Sequence, residues 1–227
     1  MAFWIVTQQD LFFLHSALDL ARLASTLPAP PRAETDRRQA CVLGSIICSV
    51  SFLECSINGL YDHAKSPAGR PTKLHRALAS VWSEGFDRQP ILAKCQIALA
   101  LAKRETFRAE EDPYKSANKL IDLRNAIAHP KELIESQRRQ QKLESGLNGM
   151  FTFNPKRESY KEFFPDRCLS VDGALWALET VTNLSLEFRQ RMPPSAYGLP
   201  QPRSSAHEVL KEVHGLRAED AIKRRRR

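Results

Sequence analysis

Apolar residues recur along most of this chain at the three- and four-residue spacing of an α-helix, and no run of alternating residues is long enough to build a sheet. Thr7, with Asp10 three residues on, reads as a capped start; Leu11, Leu14, Leu18 and Ala21 then mark a first helix that Pro28 stops. The stretch LPAPPRAETDRR, residues 27–38, carries three prolines and predicts a short stiff connection. Beyond it Val42, Ile46, Leu53, Ile57 and Leu60 form one stripe. Cys41, Gly44, Cys48, Ser51, Cys55 and Gly59 form a neighbouring stripe of small residues that would let a second helix approach closely, so this segment is expected at the centre of a bundle. A third, polar line runs through Ser51, Glu54, Asn58 and Asp62.

Two more helical patterns follow at 72–84 and 90–108, the second with Pro90 in its first turn. Residues 115–146 are helical by composition, interrupted at Pro130. From Leu147 to Arg167 the period breaks, and a loop with at most a short extended piece is expected. Ala174, Ala177, Val181, Leu184 and Phe188 then define a strong last helix. Four prolines at 193, 194, 200 and 202 place a domain edge after Met192. The expected organisation is an all-α bundle of about five to six helices over residues 1–192, and a flexible basic tail over 193–227 with room for a short helix capped by Ser205 and Glu208.

Composition narrows the class. The 227 residues suit one to two domains at about 150 residues each. With 42% hydrophobic and 26% charged residues the chain is a globular one, neither fibrous nor disordered. Of the net charge of +8, Lys223 to Arg227 supply 5, so the body is close to neutral rather than a uniformly basic surface. Five cysteines without a Cys-x-x-Cys pair form no disulfide framework or zinc knuckle, which points to reduced thiols, a cytoplasmic address and no metal. Cys41, Cys48 and Cys55 stand seven apart, about 10 Å of helix, too far to converge on an ion, and read as small core residues.

Residues 41–61 approach the length of a membrane span. They also hold Glu54, Asn58 and four serines, and a carboxyl in lipid costs several kcal/mol, so a buried core helix is expected and no membrane partner. MAFWIVTQQD lacks the basic and small-residue features of a signal peptide.

The candidate chemistry lies in LIDLRNAIAHPKE, residues 120–132. At about 100° per residue, Arg124, Asn125 and His129 fall on one arc of the helix, while Leu120, Leu123 and Ile127 form an apolar face that anchors it. Pro130 should kink or end the helix where His129 projects. An imidazole beside a permanent cation should titrate near or below about 6.5 and be available as a neutral base. Arginine complements it with a rigid fork that holds phosphate. The spacing alone favours a solvated helix face with a capping histidine, and the Asn, small residue and Pro around it turn the reading to a functional site. Glu54 reads either as a carboxylate that fixes Arg124 across the bundle or as a helix-edge residue. Residues 62–108 carry nine basic and four acidic side chains with Trp82 and Phe86, a pattern open to an RNA-tracking surface or to ordinary solvated helices.

The run Arg124-Asn125-x-x-x-His129, with Leu123, Ala128 and Pro130 around it, resembles the Arg-x4-6-His signature of HEPN domains, and FLECSINGLY, residues 52–61, is similar to their earlier long helix with a Glu in an apolar run. The resemblance spans residues 36–192 in layout and about ten positions in detail. It implies an all-α homodimer with a composite site, and metal-independent endoribonuclease activity in toxin–antitoxin or antiphage systems. Carried over by position, Arg124 and His129 would be catalytic, Asn125 would orient them, and Glu54 would be auxiliary. Single-stranded RNA would be the substrate, with an antitoxin or other regulatory protein as partner and no cofactor. The alternative within the same resemblance is a non-catalytic dimerisation or RNA-binding module. The Tyr that follows the His by two positions in members paired with a nucleotidyltransferase antitoxin is replaced here by Lys131, so control through that Tyr is not expected.

Overall fold

The computed structural model describes residues 3–27, 32–67, 70–83, 85–128, 141–154, 167–197 and 203–225, with backbone alone at 3–8, 32–36, 203–205 and 220–225. The protein is an all-α bundle. Its helices are α1 (Phe3–Thr26), α2 (Arg32–Lys65), α3 (Lys73–Ser83), α4 (Ile91–Leu101), α5 (Tyr114–Ala128), α6 (Val171–Arg191) and α7 (Arg203–Arg225), with a further helical segment over 141–147 and 3-10 turns at Phe86–Arg88 and Pro194–Ala196. Among the described residues there is no strand, only an isolated bridge between Asn148 and Phe151.

Helix α2 is the axis, packed against α1, α3, α4, α5 and α6. Val42, Ile46, Leu53, Ile57 and Leu60 are all buried. The small-residue stripe admits α1: a Cβ on Gly44 would stand 2.9 Å from Leu20 Cδ1. Buried Ser45 and Ser49 do not leave unmet hydroxyls, since Ser45 Oγ donates to the Ala17 carbonyl (2.8 Å) and Ser49 Oγ to that of Ser45 (2.8 Å). By length and composition Arg37–Lys65 could cross a membrane, but half of its most apolar window is buried against the surrounding helices. The same packing buries Cys41 and half-buries Cys48 and Cys55.

The ends of the helices differ from the sequence expectation for identifiable reasons. α1 starts at Phe3, ahead of Thr7, and Asp10 is a buried core group instead of a cap residue: it accepts from Ser56 Oγ on α2 (3.0 Å) and lies 3.8 Å from Arg189 Nη2 on α6. α2 begins at Arg32, because after the last proline RAETDRR contains no helix breaker, so the connection ends seven residues earlier than expected. α4 stops at Leu101 instead of 108. Lys103 adopts a left-handed conformation (φ 54°) there, and the Lys103 and Arg104 amides donate back to Ala100 O (3.0 Å) and Leu99 O (2.9 Å), a Schellman end built without glycine. Ser170 caps α6 by accepting from Gly173 N (3.0 Å), and the predicted stripe of α6, Ala174 to Phe188, is buried.

The basic C-terminal segment contains a longer helix than the short one expected. Val209 and Val213, one turn apart, are buried where α7 meets α6 and α1, Arg217 pairs with Glu179, and Glu212 pairs with Arg22 of α1. Residues 206–219 therefore pack on the helical domain. The side chains of the terminal Lys223–Arg227 run lie outside the described residues.

Candidate functional site

Helix α5 is held by its apolar face. Ala117, Leu120 and Leu123 are fully buried and Ile127 partly so, which turns Arg124 and Asn125 toward the opposite arc, as the wheel predicts. Arg124 Nη2 donates to Glu54 Oε1 on α2 at 2.6 Å, and the two side chains are 21% and 40% exposed. Glu54 is thus half-buried at a helix edge and also holds Arg124 across the bundle, so both sequence readings apply to the same residue. Charge-assisted bonds of this length fix a guanidinium plane. Arg124 Nε and Nη1 keep no hydrogen-bond partner among the described residues.

The pair borders an open cavity of about 490 Å³ where α2, α5, the 3-10 turn and the first turn of α4 meet. Asn125 lines it together with Asn58, Arg88, Lys94 and Asn118, over an apolar floor that includes Ile91 and Ile121. Arg124, Asn125 and Glu54 are therefore brought together. His129 follows Ala128, the last described residue of α5, and lies outside the described residues with Pro130 and Lys131; the expected kink at Pro130 lies there too.

Lys94 is the functional group that the sequence reading missed. It is 4% exposed, and its Nζ donates to Asn58 Oδ1 (2.8 Å) and to the Asp87 carbonyl (2.6 Å) while lying 5.0 Å from the Trp82 ring centroid. Burial lowers its pKa below the ordinary lysine range, opposed by the nearby Asp87, Glu54 and Asp62 carboxylates. The signal was present: Lys94 is the only charge in ILAKCQIALAL, and a lone ammonium in an apolar helix needs a built partner set. Asn58 belongs to the polar line of α2, one turn after Glu54.

Trp82 and Phe86 of the basic 62–108 region do not form an open stacking platform. Trp82 stacks on Tyr61 (5.2 Å between centroids), Phe86 packs on the same ring, and Tyr61 is fully buried with its hydroxyl donating to Lys94 O (2.7 Å). Desolvation pushes the Tyr61 phenol well above its usual range, so it acts as a donor at any ordinary pH. Of the expected RNA-tracking features, the basic residues Arg88 and Lys94 reach the cavity and the aromatics belong to the core beneath it.

Among the described residues, no group of three or more His, Cys, Asp or Glu side chains converges as metal ligands would. The cavity offers cationic, amide and carboxylate groups, a set that suits an anionic, hydrogen-bonding ligand. Comparison of the chain with protein-family models, with curated proteins and with solved structures returned no match.

Proposed function

We propose that this protein is a HEPN-type endoribonuclease that cleaves single-stranded RNA without a metal, working as a cytoplasmic homodimer in a toxin–antitoxin or antiphage setting, under a regulatory protein partner. The observation that carries the reading is the Arg124–Glu54 contact. An arginine five residues before a histidine is held by a carboxylate 70 residues away, at the wall of an open cavity, with Asn125 beside it. A guanidinium fixed on one side and open on the other suits a phosphate clamp.

In this mechanism His129 takes the proton of the ribose 2′-OH, the 2′-oxygen forms a bond to phosphorus, and the P–O5′ bond breaks with the electron pair leaving on the 5′-oxygen. Arg124 stabilises the charge that builds on the non-bridging oxygens, and Asn125 orients the pair. No cofactor enters the reaction. Wild-type protein should cleave single-stranded RNA in EDTA, and Arg124→Ala and His129→Ala should each abolish cleavage. Full activity in the His129→Ala protein overturns the assignment. Glu54 already meets part of the charge on Arg124, which favours one second reading, a non-catalytic module in which this ion pair is structural. Wild-type protein that binds RNA or dimerises yet leaves RNA intact in EDTA supports that module.

A further inference from the structure

Arg88 lies on a shelf built by the buried lysine. Gly85 opens the 3-10 turn Phe86–Arg88 in a left-handed conformation (φ 83°), and Gln89 N closes it on Phe86 O (3.0 Å). The Lys94 ammonium then bonds the turn through the Asp87 carbonyl and α2 through Asn58, so one buried cation ties three elements together. Withdrawing a charge from water is costly, and here the bonds it forms hold the backbone at Arg88 in place.

The Arg88 side chain is exposed, lines the same cavity as Arg124, and has no ion-pair or hydrogen-bond partner among the described residues. Among the described residues, five charged ones border this cavity: Arg88, Lys94, Arg124, Glu54 and Asp87. Glu54 is engaged by Arg124, and the Lys94 ammonium is hydrogen-bonded by neutral oxygens with the Asp87 carboxylate nearby, so among the described residues Arg88 is the cation of this lining without a bonded partner. Three cations against two carboxylates leave the described lining of the cavity at a net +1, which favours an anionic ligand, and two of those cations are guanidinium groups.

We propose that Arg88 is a second anchor for the RNA backbone, holding a phosphate next to the one at Arg124. This rests on RNA being the substrate of the site and adds a binding residue to it. Successive phosphates on one strand suit two forks that line one cavity, each able to take two oxygens of a phosphate.

The test is binding of a labelled single-stranded RNA of mixed sequence to the His129→Ala protein, followed by fluorescence anisotropy in EDTA over a salt series. Removing one phosphate contact on a single strand should make the log–log salt slope shallower by about 0.7, which is about a fivefold weaker affinity at 0.1 M salt. Arg88→Ala should show that change. Arg88→Lys should keep the slope, because the charge remains, and Arg76→Ala, an exposed arginine on α3 away from the cavity, should leave it unaltered. An Arg88→Ala slope equal to that of the parent, an equal loss in Arg76→Ala, or no RNA binding at all overturns the anchor. Cleavage by wild-type protein with no slope change removes Arg88 alone. A slope change without cleavage by wild-type protein keeps the anchor and removes the nuclease.

Discussion

The Glu54–Arg124 contact should register as a coupling energy of about 1 kcal/mol between two residues on different helices. Two unit charges about 4 Å apart attract by about 4 kcal/mol at an effective dielectric of about 20 and by about 1 kcal/mol in water. Arg124 is 21% exposed and Glu54 40%, so this pair lies between those limits, and screening at the more exposed carboxylate brings it toward the lower one. A charged hydrogen bond of 2.6 Å adds to the attraction, while ordering two long side chains subtracts from it. The assay is a double-mutant cycle in urea: wild type, Glu54→Ala, Arg124→Ala and the double variant. Each single change also removes packing of an aliphatic stem, but that loss recurs in the double variant and cancels. Coupling should shrink as salt rises from 0.05 to 1 M, since half-exposed charges are partly screened. Coupling under about 0.3 kcal/mol, within the scatter of independent sites, refutes the view that Glu54 fixes the guanidinium. In RNA cleavage, Glu54→Ala should slow turnover about tenfold through misplacement of Arg124, whereas Arg124→Ala abolishes it.

Three other outcomes test the scaffold. Leu123→Ala, at a fully buried position of α5 next to Arg124, should cost about 3 kcal/mol in urea unfolding, and a cost under about 1 kcal/mol would mean that the α5 face is not anchored as described. Lys103→Gly should gain about 0.5 kcal/mol and raise Tm by about 1–2 °C, because glycine takes the left-handed conformation without the steric cost a side chain incurs; a lower Tm contradicts the α4 end. Burial raises the pKa of Asp10, against the opposing bonds from Ser56 and Leu11 N and the charge of Arg189. Its carboxylate is therefore less favoured folded than unfolded, so its contribution is fully present below about pH 3.8 and is lost as pH rises through the raised folded value. Asp10→Asn does not titrate there, so its stability relative to wild type should increase from pH 3.5 to pH 7 in parallel urea melts; a decrease refutes the assignment.

Helix faces were legible in the sequence, and their ends were less so. The apolar stripe of α2 and the glycine that admits α1 follow directly from spacing, because a central helix must bury one stripe and let a neighbour close on another. The end of α4 was not legible, since Lys103 gives no glycine signal and the Schellman bonds depend on backbone geometry. Asp10 had the spacing of a cap, yet its carboxylate finds partners 46 and 179 residues away, which no local pattern encodes. At the site, Arg124 and Asn125 were visible from their arc, and Glu54 from its place in an apolar run. Lys94 was absorbed into a tally of basic residues, although its isolation within an apolar helix was the more informative fact. Arg88 sits on a turn, where periodicity carries no information about direction.

The polar groups of the cavity explain one another when their energies are considered in sequence. A buried ammonium is tolerated only with good acceptors, so Lys94 requires Asn58 on α2 and the carbonyl of Asp87 in the turn. Those bonds, with Trp82 stacked on Tyr61 beneath them, fix the turn and the start of α4 against α2. α2 in turn presents Glu54 one helical turn from Asn58, where it meets Arg124. Replacing this set with apolar residues would make an ordinary bundle end without desolvated charge, and such replacement of buried ions is often neutral or stabilising. Stability therefore does not account for the arrangement. What the arrangement does achieve is a fixed Arg124 whose other two donor nitrogens, like the Arg88 side chain, have no partner among the described residues, and a cavity bordered by both of a size that admits a nucleotide unit.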